Sequence, residues 1–182
     1  VSSGTKDARA VGIDNAGGID NKVHPPEGGL VDAAARVVRV TCLGTRVDIE
    51  VSPAAASLHP AVLQDWALCL APLGDPPAVL TVRMDPTPRS STSDDDAGRL
   101  RVAVAHDVAG AVMQANAGRL VMFHAGALAH PRTGSTLAFV GRSGMGKSTL
   151  IQALGHRYSY VTDETVGVRP DSLDVLPFPK PL

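Results

Sequence analysis

The chain has 182 residues, 44% of them hydrophobic, enough to bury the core of one domain, or of one domain with a small appendage. Aromatic residues make up only 3%, which leaves Val, Leu and Ala to build that core. A net charge of −1 argues against nucleic acid as the main partner, and no apolar run reaches the length needed to span a membrane.

Residues 1–30 are polar and Gly-rich and are expected to form a disordered tail. They carry a short echo, Gly12-Ile-Asp-Asn15 and Gly18-Ile-Asp-Asn21, whose period is too short for a solenoid. No charged-then-apolar signal pattern is found there. Cys42 and Cys69 lack metal-ligand spacing and read as reduced thiols of a cytoplasmic protein. His24, His59, His106, His130 and His156 show no ligand spacing either, so zinc is not expected. Trp66, the tyrosines and the methionines read as packing residues.

A small α+β region is expected over residues 31–106. Two runs, 36–43 and 45–51, flank Gly44 as a hairpin. In the second, Val47, Ile49 and Val51 alternate with Arg46, Asp48 and Glu50, so one face is wet. His59-Pro60 opens a helix that runs through Leu63, Trp66 and Leu70. Residues 78–84 read as a strand and 85–98 as a loop whose acids, Asp94-Asp-Asp96, are solvated. Residues 100–104 read as a further strand, and 107–115 as a helix with Asp107 as its N-cap.

A nucleotide-binding core is expected over residues 107–182. Residues 120–128 form a strand, His130-Pro-Arg-Thr-Gly134 a turn, and 137–140 a second strand. A tight hairpin centred between Arg132 and Thr133 sets His124 beside Gly141. The second strand runs into Gly141-Arg-Ser-Gly-Met-Gly-Lys-Ser-Thr149, which has the spacing of a P-loop with a strand before it and a helix after it.

Each residue type there has a chemical reason. Gly141, Gly144 and Gly146 let the backbone curl so that N–H groups point at phosphate oxygens. Arg142, Ser143, Met145 and Thr149 are the other residues of the loop and helix start expected at the nucleotide, Arg142 either adding charge at the γ-phosphate or being solvated. The helix beginning near Lys147 turns its positive end to the same anion. Lys147 can reach the β- and γ-phosphates, and the Ser148 hydroxyl suits Mg²⁺. Leu150, Ile151 and Leu154 recur at helical spacing, with Gly155 where a C-terminal cap belongs. Residues 158–162 then read as a strand ending in Asp163-Glu164, a pattern by which P-loop enzymes hold Mg²⁺ or orient a nucleophile. Residues 165–168 read as one more strand.

Phe123-His-Ala-Gly-Ala-Leu128, Phe139-Val-Gly-Arg-Ser-Gly-Met-Gly-Lys-Ser-Thr149, Val161-Thr-Asp-Glu-Thr-Val166 and Pro177-Phe-Pro-Lys-Pro181, in that order, resemble the HPr kinase/phosphorylase-like family. The likeness covers about residues 100–182. It is closer to short relatives in bacterial biosynthetic clusters, some of which phosphorylate ribosomal peptides such as lasso-peptide precursors. The resemblance implies ATP on Gly141 to Thr149, Mg²⁺ on Ser148 and Asp163, His124 beside the phosphates, and the acidic pair as the base. In the parent family both acids are Asp; here the second is Glu164, and which of the two is the base stays open. Arg142 stands where the parent family commonly has an acid. The parent enzymes continue further past the acidic pair, into a second metal ligand and a region linked to dephosphorylation. The likeness is therefore to the kinase activity. The resemblance implies either a fragment or a short family member whose site a partner or a homo-oligomer is expected to complete.

The expected fold class is α/β: a mixed P-loop sheet like the nucleotide-binding core of HPr kinase and PEP carboxykinase, preceded by a small α+β region. The expected function is ATP- and Mg²⁺-dependent phosphorylation of a Ser or Thr hydroxyl on a protein or peptide, with His124, Lys147, Asp163 and Glu164 as catalytic residues. The competing functions are a non-catalytic ATP-binding regulatory module and a small-molecule kinase. A transporter-type ATPase is disfavoured, because no Leu-Ser-Gly-Gly follows. A GTPase is disfavoured because Asn21-Lys22 lacks its Asp and lies upstream of the loop. For His124 the competing reading is a hydrogen-bonded core histidine.

Overall fold

In the computed structural model, residues 31–32, 36–72, 77–85 and 94–179 are described; the expected tail over residues 1–30 lies outside them. Strand β1 (Val31–Asp32) pairs antiparallel with β2 (Val37–Cys42), β2 turns back into β3 (Thr45–Val51), and β4 (Leu80–Met84) joins β3 in parallel. The β2–β3 connection is two residues, Leu43 and Gly44, both with left-handed backbone angles (φ 49° and 74°). That is the turn whose twist matches a hairpin. Val47, Ile49 and Val51 are buried along β3, as their alternation requires, and Arg39 on β2 donates two hydrogen bonds to Asp48 opposite it (2.6 and 2.7 Å).

A 3₁₀ turn (Pro53–Leu58) leads into α1 (His59–Asp65). This helix is shorter than expected. Trp66 is buried at its end, and Leu70 has left the helix to bridge Val40 of β2.

The largest correction concerns α2 (Asp94–Ala115). It is one helix where a loop end, a strand over 100–104 and a helix start at Asp107 were expected. The alternation of Leu100, Val102 and Val104 is real but does not decide the structure: Val102 is 70% exposed. The residues that bury are Val104, Ala105, Val108, Ala109 and Val112, a helical stripe laid against the first sheet. The expected boundary between residues 106 and 107 falls inside this helix, and Val104 and Val108, on either side of it, join the same core.

The second sheet is built on β5 (Val121–Ala129). Strand β6 (Thr136–Val140) pairs antiparallel on one side. Helix α3 (Lys147–Leu154) follows, and then β7 (Ser159–Thr162) and β8 (Thr165–Val168) both pair with β5. A short strand not anticipated from the sequence, β9 (Val175–Leu176), adds to β8. Gly155 follows α3 in the right-handed region (φ −61°), so it does not act as a left-handed cap. Beyond β9, Phe178 inserts into the core of the first sheet, where it is fully buried, and its N–H donates to the Val161 carbonyl. The fold is thus mixed α/β, with two sheets and three α-helices among the described residues. None of those helices is long and apolar enough to cross a membrane.

Candidate functional site

Strand β5 is the axis of the site. Ala125 pairs with Val140, so His124 falls beside Gly141, as the hairpin spacing implies. On the other edge of β5, Ala127 pairs with Thr162 and His124 pairs with Thr165. Strands β7 and β8 therefore run along β5 as one line, interrupted only by Asp163 and Glu164. The acidic pair stands opposite Ala125 and Gly126. Three pieces distant in sequence thus meet at the middle of β5.

Local chemistry shapes each piece. Gly144 and Gly146 take left-handed angles (φ 82° each), which favour glycine. Gly146 is the N-cap of α3 and no side chain caps it, so the first-turn amides of the helix are available to an anion. Lys147 Nζ donates to the carbonyls of Gly141 (2.8 Å) and Arg142 (3.2 Å), which folds the side chain back over the loop. The acidic turn is held by buried Thr162, whose Oγ1 accepts from the N–H groups of Glu164 and Thr165 (3.2 Å each). The Glu164 carbonyl accepts from Ala125 N–H (3.0 Å), which pins the turn to β5.

A cavity of about 400 Å³ is lined by His124, Ser143, Gly144, Gly146, Lys147, Ser148, Thr149, Asp163 and Glu164. Of the expected residues, Gly141, Arg142 and Met145 do not line it. The first two serve through their carbonyls, and Met145 is exposed, with its sulfur packed over Gly141. His124 is exposed, which overturns the core-histidine reading. Asp163, Glu164 and Lys147 are half-buried.

Among the described residues no three His, Cys, Asp or Glu side chains converge as a metal cage. The side-chain oxygen donors in the cavity are the hydroxyls of Ser143, Ser148 and Thr149 and the carboxylates of Asp163 and Glu164, all hard oxygen ligands. Such a set fits Mg²⁺ delivered with a nucleotide, because that ion is usually held by one or two carboxylates together with substrate phosphates.

Two contributors escaped the sequence reading. Buried Tyr160, which reads as a packing residue from the sequence, donates from its hydroxyl to Asp163 Oδ1 (3.0 Å). Burial, and secondarily the Asp163 charge, push this phenol above its ordinary range. The available signal was its position three residues before an acid at a strand end. Gly126 permits α3 to lie close on β5, since a Cβ there would meet Ile151 Cδ1 at 2.5 Å. Comparison with protein-family models, curated proteins and solved structures gives no match.

Proposed function

We propose that the chain is an ATP- and Mg²⁺-dependent phosphotransferase with an HPr kinase-like P-loop core, acting on a Ser or Thr hydroxyl of a protein or peptide. One observation carries the reading. The glycine loop with Lys147, the exposed His124 and the acidic pair line a single cavity, although they lie on separate elements.

The loop amides and the α3 N-terminus would receive the phosphates. Lys147 would exchange its two loop carbonyls for phosphate oxygens, a stronger charge-assisted bond. His124, at the cavity edge, can donate a hydrogen bond to a phosphate oxygen. The acceptor hydroxyl attacks the γ-phosphorus, the bond to the β–γ bridging oxygen breaks, ADP leaves, and a carboxylate of the acidic pair takes the hydroxyl proton. Ser148 and Asp163 are the residues that would hold Mg²⁺, which when bound supplies charge neutralisation at the phosphates. The protein's own share of the catalysis is positioning and fixed electrostatics.

The test is transfer of label from γ-labelled ATP to a library of Ser- and Thr-containing peptides, with Ala-substituted controls. Label on hydroxyl peptides alone supports the proposal. ATP binding without transfer to any peptide favours the non-catalytic module, and transfer only to small hydroxyl compounds favours the small-molecule kinase.

A further inference from the structure

Strand β6 carries the glycine loop and stands at the edge of the second sheet, where among the described residues only β5 pairs with it. Its outer backbone groups can be identified. Ala125 N–H donates to the Glu164 carbonyl, away from β6, whereas His130 N–H donates to the Ser135 carbonyl. The even-numbered residues of β5 therefore face β6, and their partners there are Leu137 and Phe139. Thr136, Ala138 and Val140 turn their N–H and C=O groups outward. The run Leu137-Ala-Phe-Val140 is continuously apolar, the pattern of a strand covered on both faces. Yet Leu137 on the α3 side and Val140 on the other are 62% and 70% exposed. Edges are ordinarily blunted by a charge, a proline or a bulge, and β6 has none of these.

Charge identifies what covers it. Residues 108–162 include Arg119, Arg132, Arg142, Lys147 and Arg157 and no acid at all. Arg132 is exposed at the turn before β6, and Arg142 is exposed in the loop after it. Arg157 joins the turn end, since its neighbour Tyr158 meets His130 edge-on (6.3 Å between ring centroids). None of these three arginines pairs with a carboxylate among the described residues. A second copy laid antiparallel on this edge would set Arg142 against the partner's own turn, like charge on like charge. Arg132 lies a strand of five residues, about 17 Å, from the loop, too far to serve the phosphates.

We propose that the outer edge of β6 receives an extended segment of the acceptor polypeptide as an added strand, apolar along Leu137 to Val140 and acidic at both ends. The proposal rests on the phosphotransferase reading for the purpose of that strand and names its substrate class. Main-chain bonds to Thr136, Ala138 and Val140 would hold the segment, and the flanking side chains would select it. From the added strand to the acidic pair is three strand spacings, about 14 Å. The reacting Ser or Thr then lies at least about four residues beyond the docked segment.

The probe is a synthetic peptide with a short run of Val and Leu, an Asp pair at each end, and a Ser about five residues past either end. Amide hydrogen exchange on the full chain, without nucleotide, reads the docking. In the dilute chain the Ala138 and Val140 amides should exchange fast and those of Leu137 and Phe139 slowly; the peptide should protect the first two. Ala138→Pro removes an outward donor that β5 does not use, a change an edge strand tolerates, and should abolish docking with ATP affinity unchanged. Arg132→Glu should weaken the peptide about two- to fivefold and strengthen a copy with Lys in place of Asp. With ATP, label should enter the Ser, and methylating the backbone nitrogens of the apolar run should prevent it.

Ala138 and Val140 amides that ignore the peptide overturn the proposal. So does protection in the chain alone: at every concentration it means that another part of this chain covers the edge, and rising with concentration it means a second copy. The methylated peptide, which needs no change in the protein, decides the matter if Ala138→Pro folds poorly; label entering it as fast as the parent peptide also overturns the proposal. A chain that docks the peptide but binds no ATP overturns the phosphotransferase reading, whereas one that binds ATP and leaves β6 bare overturns only this proposal.

Discussion

Ile151 Cδ1 lies 2.5 Å from the point where a Cβ on Gly126 would stand, and Lys147 Cβ lies 3.8 Å from it. Helix α3 thus rests on the bare backbone of β5, and the same helix starts at Lys147. A methyl at residue 126 forces Ile151 into another rotamer or lifts the helix. Overpacking of this kind costs about 1–3 kcal/mol. Gly126→Ala should therefore lower stability modestly and Gly126→Val more, and both should weaken ATP binding in the same order. Thermal melts and calorimetry check the ranking; a Gly126→Val protein with wild-type stability and ATP affinity contradicts it.

Phe178 lies after the last strand yet is fully buried in the core of the first sheet, while its N–H bonds to β7. It therefore ties the two sheets together. Truncating a buried Phe to Ala typically costs about 3–5 kcal/mol. Phe178→Ala should lower the unfolding free energy measured by urea titration by an amount in that range, and a change below about 1 kcal/mol would place the residue outside the core.

How far the sequence was legible depends on the range of the physics involved. The register that sets His124 beside Gly141 was readable because a short turn fixes hairpin pairing. The glycine loop and the acids after β7 were readable because their chemistry is local. Helix α2 was misread because Leu100, Val102 and Val104 alternate over five residues, whereas the helical stripe emerges only over Val104 to Val112. A lone Phe178 between prolines has no period at all. The roles of Gly126 and Tyr160 depend on how closely α3 packs on β5 and on a side chain reaching a strand end. No spacing rule encodes either.

His59 adds a pH dependence. Burial, and secondarily the Arg36 guanidinium, push its imidazole below the ordinary value of 6.5. Below 6.5 the unfolded chain binds the proton more readily than the folded one. The stability from neutral His59 is therefore complete above about 6.5 and is lost as pH falls through the lowered folded value. His59→Asn should remove this part of the slope. Urea unfolding at about pH 7.5 and 5.5 should show the gap between wild type and variant narrowing at the lower pH. A gap that widens would reverse the sign.

His124 is exposed at the cavity edge, so its loss should not unfold the protein. Removing one donor to developing charge can slow turnover by about a hundredfold. His124→Ala should slow transfer by about that much, with ATP affinity changed less than about tenfold. Its imidazole resonance should move when ATP is added to wild type. A resonance indifferent to ATP removes His124 from the site.

The proposed function requires that the loop before α3 bind a nucleotide. Calorimetric titration of ATP, with Mg²⁺, into wild type and Lys147→Ala tests it directly. A charge-assisted contact is worth about 1.5–3 kcal/mol, so the variant should bind ATP about ten- to a hundredfold more weakly while melting at the same temperature as wild type. Equal ATP affinity in the two proteins, or no heat of binding in wild type, would contradict the assignment.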